Sequence, residues 1–300
     1  MHQNQNKNTR HQPVLLEEVL QYLNPKRGES YLDLTAGYGG HASKVLDVTG
    51  SLTTSTLVDR DKNASQYLQE KYGPEADIRH NDFLSASREL LEQNRHFDLI
   101  LADLGVSSPH LNEAERGFAI NQTGPLDMRM DESQGLTAEI VVNTYKEDEL
   151  AEILKVYGEE PKARQIAKAI IQARPIKTTT ELANVVKTVW SGHSRVHPAT
   201  RTFQAIRIAV NDELTQLEQA LPLWIELLNP GGRLAVISFH SLEDRIVKQI
   251  LADASGNRFD AELTLLTKRP VTANASELVF NPRARSAKLR AAAKIKKKGN

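Results

Sequence analysis

Gly37, Gly39 and Ala42 complete a G-x-G-x-x-A pattern within Asp33–Ala42 (DLTAGYGGHA), and Asp59 follows Gly37 by 22 positions. A glycine turn of this kind lets the backbone approach a nucleoside-bearing ligand, and an acid about twenty residues on can hold ribose hydroxyls. The pattern alone does not say which ligand. Charge narrows the choice. No Lys or Arg occurs from Asp33 to Ser43, and Asp33, Asp82 and Asp103 stand at the exits of apolar segments. Carboxylates in a row repel a pyrophosphate and attract a sulfonium or an ammonium. S-adenosylmethionine (SAM) is therefore favoured over NAD, and a glycine turn used only for helix–strand packing is the remaining alternative.

The acceptor chemistry is bounded by what is missing. The chain has no cysteine, which excludes disulfides, thiolate metal sites and the covalent nucleophile that methylation of pyrimidine C5 normally uses. N- or O-methylation remains. An exocyclic amine of a base has its lone pair conjugated into the ring, so it needs hydrogen-bond acceptors that aim the lone pair and later take a proton. Asp103–His110 (DLGVSSPH) is the natural place for them.

Other candidates carry less. His193 and His197 have the i,i+4 spacing of metal ligands, but Gly192 and Pro198 flank them and no HExxH pattern exists; loop histidines are the plainer reading, and no metal is expected. Ser238-Phe-His240-Ser241 lacks G-x-S-x-G. Arg195, Arg201 and Arg207 suit phosphate contacts or helix-surface cover equally. Met128 and Met130 lie in an aperiodic stretch, and either a ligand or a core gap would use them.

These residues need elements to position them. Tyr31–Thr35, Leu52–Asp59, Phe97–Asp103, Arg233–Ser238 and Leu263–Thr267 read as strands, with Pro230-Gly231-Gly232 as a breaker before the fourth. Ala42 to about Val48 and Asn63–Lys71 read as helices between them. Strands alternating with helices predict an open, mostly parallel α/β sheet. Between Asp103 and Arg233 lie 129 residues, far more than a parallel crossover requires. The excess predicts an inserted helical domain, with helices at Glu147–Tyr157, Ala163–Ala173, Leu182–Trp190 behind a Thr178-x-x-Glu181 capping box, and Ala199–Leu221, punctuated by Pro161, Pro175, Pro198 and Pro222. The expected division is a discontinuous core, 1–110 with 211–300, and an insertion, 111–210.

Composition is that of a globular protein: 300 residues, 40% hydrophobic, 25% charged, with 38 basic and 38 acidic side chains. No apolar run approaches the roughly 18 residues of a membrane helix, and Met1–Gln12 has no apolar signal region. A cytoplasmic location without membrane contact is expected; one copy or two is left open. The last 18 residues, 283–300, hold eight basic residues and no acid, which leaves 30 basic against 38 acidic in the body. Such a tail suits a polyanion partner or a solubilising extension.

The chain resembles the bacterial 16S ribosomal RNA (cytosine-N4)-methyltransferases, the RsmH or MraW family. The match rests on His11–Leu15 (HQPVL), Asp33–His41 (DLTAGYGGH), Asp59–Asp61 (DRD), Asp103–Pro109 (DLGVSSP), Arg116–Phe118 (RGF), Gly124–Asp131 (GPLDMRMD), His197–Leu214 (HPATRTFQAIRIAVNDEL), Pro230–Arg245 (PGGRLAVISFHSLEDR) and Asn281–Arg290 (NPRARSAKLR). The resemblance implies a Rossmann-like, SAM-dependent methyltransferase core with an inserted helical domain that binds cytidine. It implies methylation of the N4 amine of a cytidine in the decoding region of the small ribosomal subunit. Carried over by motif, Gly39, Gly40, His41, Asp59, Phe83, Asp103 and His110 would contact SAM, Asp59 through the ribose and Phe83 through the adenine. Position 110 is His where the family usually has Gln. The Asp103–Pro109 motif lacks the (Asp/Asn)-Pro-Pro-aromatic signature of other amino-methyltransferases, so Asp103 is a candidate proton acceptor on its own position, at a strand exit beside the expected sulfonium. Arg283, Arg285, Lys288 and Arg290 in the basic tail are candidate rRNA contacts.

Overall fold

The computed structural model describes residues 13–106, 111–191, 196–256 and 261–295. In chain order its elements are α1 (Leu16–Leu23), β1 (Tyr31–Asp33), α2 (Gly40–Thr49), β2 (Thr56–Asp59), α3 (Lys62–Tyr72), β3 (Asp77–His80), α4 (Phe83–Glu92) and β4 (Phe97–Asp103). Then come α5 (Ala138–Thr144), α6 (Glu147–Gly158), α7 (Ala163–Ala173), α8 (Thr179–Val189), α9 (Thr200–Asn211) and α10 (Glu213–Glu226). The chain closes with β5 (Leu228–Ser238), α11 (Ser241–Asp253), β6 (Leu263–Leu265), α12 (Ala275–Phe280) and β7 (Lys288–Lys294).

It divides into two compact units, Met1–Leu104 with Ala220–Asn300, and Gly105–Gln219. The expected insertion, 111–210, falls within the second unit, which extends beyond it at both ends. The first unit holds one seven-stranded sheet, ordered β3-β2-β1-β4-β5-β7-β6. Its strands from β3 to β5 are parallel, and β7 is antiparallel to both neighbours. This is a Rossmann-like sheet, with the strand order reversing between β1 and β4. Buried residues run almost unbroken along β4 and the end of β5, as a strand covered on both faces requires.

Several boundaries differ from those expected, each for a local reason. Leu52–Thr54 forms a 3₁₀ turn, and β2 starts only at Thr56. Pro230-Gly231-Gly232 does not precede β5 but forms an irregularity within it. Leu228 already pairs with Phe97, and a Cβ on Gly232 would come within about 3.1 Å of the Phe97 and Asp98 carbonyls. The helix expected at Ala199–Leu221 is two helices, separated at Asp212 (φ 49°), and Pro222 stands inside α10 rather than ending it. The basic tail is not a tail through 294. Residues Lys288–Lys294 are β7, with Ala291 and Ala292 fully buried.

The second unit is helical around its own core, which includes Phe118, Leu126, Met128, Met130, Leu150, Ile166, Leu182 and Ile206. Both methionines are thus core residues. Arg116 and Asn211 both hold the aperiodic stretch Gly124–Asp131. Arg116 Nη2 donates to the Arg129 and Met130 carbonyls (3.1 and 3.0 Å). Asn211 accepts from Met130 N and donates to the Met128 carbonyl, both at 2.8 Å. A side chain on Gly117 or Gly124 would overlap backbone atoms of this loop, Pro125 O and Ala114 O respectively. Three separate sequence motifs therefore make one clamp: Arg116–Phe118, Gly124–Asp131 and the Asn211 end of α9.

Candidate functional site

Three carboxylates end strands on either side of the order reversal: Asp33 on β1, Asp59 on β2 and Asp103 on β4. Ligands of open α/β sheets sit in this crevice, outside the carboxyl ends of the strands. Asp82 is not part of the row as expected; it caps α4, accepting from Leu84 N and Ser85 N at 2.9 Å.

The glycine loop is tied to the strands beneath it. Leu34 N donates to Leu101 O and Ala36 N to Val58 O, both at 2.9 Å. Gly37 (φ 52°) and Gly39 (φ 75°) then take left-handed conformations, and α2 starts at Gly40. Only glycine adopts that backbone without cost. Asp59 accepts from Gly37 N (2.7 Å) and from Asp61 N (2.8 Å), so the expected ribose acid also fixes the loop. Ionised carboxylates have about four lone-pair sites, which leaves room for ribose hydroxyls. Gly40 packs on Pro13, whose Cγ would lie 2.8 Å from an added Cβ.

His41 is buried on α2. Its Nε2 donates to Val14 O (2.9 Å), and its Nδ1 stands 3.6 Å from Asp103 Oδ2. Asp103 N donates to Thr35 Oγ1 (2.6 Å), while its Oδ1 is buried and has no hydrogen-bond partner among the described residues. Burial pushes the Asp103 carboxyl well above the usual carboxylate range, and the charges of Asp33 and Glu243 push in the same direction. Asp33 is fully buried and accepts from Tyr31 Oη (2.8 Å) and Thr35 N (3.2 Å). Burial raises its pKa to about 7; the Tyr31 and Thr35 bonds act against the rise and Asp59 adds to it.

Tyr31, Thr35 and Glu243 were not anticipated. A signal for Tyr31 existed, since residues i and i+2 of a strand share a face. Phe83 opens α4, half-buried, and its ring makes a T-shaped pair with Trp224 at a centroid distance of 5.5 Å. His110, His193 and Arg195 lie outside the described residues. His197 Nδ1 accepts from Ala199 N at 3.1 Å, a turn contact before α9. Of the expected rRNA contacts, Arg285 is exposed. Lys288 and Arg290 are engaged within the fold: Arg290 Nε lies 2.7 Å and Lys288 Nζ 3.2 Å from Asp244. Arg290 is buried, with its guanidinium Nε and Nη2 both bonded to that carboxylate.

A ligand suited to this place is cationic, carries a ribose and needs no phosphate cradle. An unpartnered buried carboxylate oxygen, a second carboxyl titrating near neutrality and a loop without cations fit SAM. The titration of Asp33 gives a signed expectation. A carboxyl raised to about 7 favours the folded, cofactor-free protein while protonated, and that contribution is lost as pH rises from about 4 to 7. Ionised Asp33 attracts a cation, so SAM affinity rises as pH passes 7. Calorimetric titrations between pH 6 and 8.5 check this. Asp33→Asn is expected to bind SAM more weakly and to flatten the dependence; an Asp33→Asn protein with the wild-type pH profile would exclude Asp33 as its source.

A model of the MraW methylase family matches residues 8–295. A "Ribosomal RNA small subunit methyltransferase H" of Acidobacterium capsulatum is 46% identical over 296 residues, covering 95% of this chain and 98% of its own. One from Synechocystis sp. is 45% identical, covering 95% and 93%. Among solved structures, an rRNA methylase from Streptococcus thermophilus aligns over 94% of each chain at 9% identity, with a TM-score of 0.41. Among the described residues, no helix is long and apolar enough to cross a membrane.

Proposed function

The chain belongs to the MraW methylase family, and from that premise we propose that it methylates the N4 amine of a cytidine in the decoding region of 16S rRNA, within the small ribosomal subunit. The methyl donor is SAM, which when bound supplies an electrophilic methyl on a sulfonium. The relatives' names support the rRNA acceptor, and the absence of cysteine favours an amine over C5. The cytidine target itself follows the sequence resemblance. A cytoplasmic location is assigned with this reading, since its acceptor is the ribosomal subunit.

The observation that carries the chemistry is the buried, unpartnered Oδ1 of Asp103 at the β1/β4 switch point. Asp103 accepts a hydrogen bond from the N4 amine, which turns the nitrogen lone pair out of conjugation. Methyl transfer would break the donor's C–S bond, with its electron pair left on sulfur, as the C–N bond forms, and the cationic amine would give its proton to the same Asp103 oxygen. A carboxyl with a raised pKa is better matched to this transfer near neutral pH than an ordinary one. Thr35 fixes Asp103 through its backbone N–H, and His41 faces its other oxygen. Gly39, Gly40, Asp59 and Phe83 are assigned to holding the cofactor, as is His110. The second unit is assigned to the acceptor nucleotide, which must leave its stack to react.

The test is methyl transfer from labelled SAM to small subunits from cells lacking the protein, followed by nucleoside analysis of the RNA. N4-methylcytidine at a single site is the expected product. Label in another nucleoside would overturn the acceptor, and SAM binding without any labelled RNA would overturn the enzymatic reading.

A further inference from the structure

The C-terminal cations singled out as RNA contacts are largely committed inside the fold. Lys288 and Arg290 face Asp244, and Lys294 donates to Ile225 O and pairs with Glu262. Another stretch carries an imbalance of the same sign. Residues 161–190 contain six basic side chains and a single acid, Glu181, a net charge of +5 in a chain whose total is zero. We propose that the surface of α7 and α8 in the second unit is where the phosphate backbone of the RNA docks. This rests on the rRNA-acceptor reading above and adds to it the surface that holds the acceptor.

Two of the six cations are structural. Arg174 donates to the Val142 and Tyr145 carbonyls, and Lys162 donates to Val189 O with its Nζ 4.5 Å from the Trp190 ring centroid. The other four, Arg164, Lys168, Lys177 and Lys187, are exposed. Among the described residues, Arg164, Lys168 and Lys187 form no ion pair. Lys177 lies close enough to Glu181 to hold that carboxyl down, after the backbone hydrogen bonds of Lys177 and Thr178.

Helix periodicity arranges these charges as a surface. On α7, Ala163, Ile166, Ala167 and Ile170 are buried in the core of the unit. Arg164, Lys168 and Gln172 are exposed at i, i+4 and i+8. Neighbours at that spacing lie about 6 Å apart along the axis. On α8, Leu182, Ala183 and Val186 are buried while Lys187 is exposed. An ordinary solvated helix face mixes signs. Here no carboxylate occurs between Glu160 and Glu181, whereas the preceding α6 alone holds Glu147, Asp148, Glu149 and Glu152. Unpaired cations that cover no carboxylate of their own are complementary to a polyanion, and each phosphate they neutralise releases counterions.

The experiment compares the full-length wild type with Arg164→Gln/Lys168→Gln/Lys187→Gln. Binding to a naked 16S rRNA fragment that includes the decoding region is measured across a salt series. Three lost phosphate contacts are expected to flatten the slope of log K against log salt by about 2–3, with the affinity near 0.1 M salt falling about tenfold or more. SAM binding and thermal unfolding should be unchanged, because all three side chains are exposed. Each single substitution should remove about one unit of slope. A variant that shares the slope and affinity of the wild type would overturn the proposal. So would normal binding to naked RNA with lost binding to intact subunits, which would assign the surface to an acidic protein. A wild type that binds the RNA at no salt concentration would instead overturn the rRNA-acceptor reading itself.

Discussion

Replacing Asp103 by Asn is expected to lower the rate constant for methyl transfer by about 10²–10⁴-fold, the usual contribution of one positioned base. The change keeps size and one oxygen acceptor, so it separates proton acceptance from packing. SAM affinity should fall far less than the rate, because Asp33 and Asp59 remain. The pH profile gives a second readout. With its carboxyl raised by burial and by the charges of Asp33 and Glu243, Asp103 should impose a limb on which the rate rises with pH, at a pH above the ordinary carboxylate range. The Asn variant should lack that limb. Single-turnover measurements on subunits with saturating SAM read both, and full turnover with an unchanged profile would remove Asp103 from the chemistry.

The second large effect is on stability. Arg290→Gln is expected to cost about 3 kcal/mol in urea unfolding, toward the lower end for breaking a buried ion pair, because Lys288 still faces the abandoned carboxylate. Burial pushes the Asp244 carboxyl up, but the hydrogen bonds and charges of Arg290 and Lys288 outweigh it and hold it below the usual range. A depressed carboxyl stabilises the fold above its unfolded pKa of about 3.9 and loses that contribution as pH falls through the folded value. The wild type should therefore lose more stability than the variant on acidification from pH 5. A variant as stable as the wild type would mean that Asp244 and Arg290 are joined without consequence.

Much of this site is written in local patterns. β4 is visible as an apolar run because both its faces are covered, and the glycine loop and Asp59 are visible from spacing alone. The carboxylate row is visible for Asp33 and Asp103, which end strands, but not for Asp82, whose Asp-Phe-Leu-Ser context caps a helix. β7 is hidden: Lys-Leu-Arg-Ala-Ala-Ala-Lys has no β-branched residue, and alanine prefers helices. Pairing with β5 and β6 decides its conformation, and Asp244, 46 residues upstream of Arg290, turns a basic tail residue into a buried one. The unpartnered oxygen of Asp103 is likewise invisible, since it depends on which atoms Thr35 and His41 engage.

The sheet order also has a consequence in time. β4 pairs with β1 on one side and with β5 on the other, yet 124 residues separate Asp103 from Leu228. At roughly 5–20 residues per second of synthesis, that interval lasts about 6–25 seconds. Throughout it, a growing chain carries the most apolar strand of its sheet with one edge unpaired, the condition under which strands recruit the wrong partner. The second unit, whose core is drawn from within its own sequence, is made during the same interval. A nascent chain therefore presents a finished helical unit while its sheet is still open, and a chaperone that shields strand edges has its longest opportunity there.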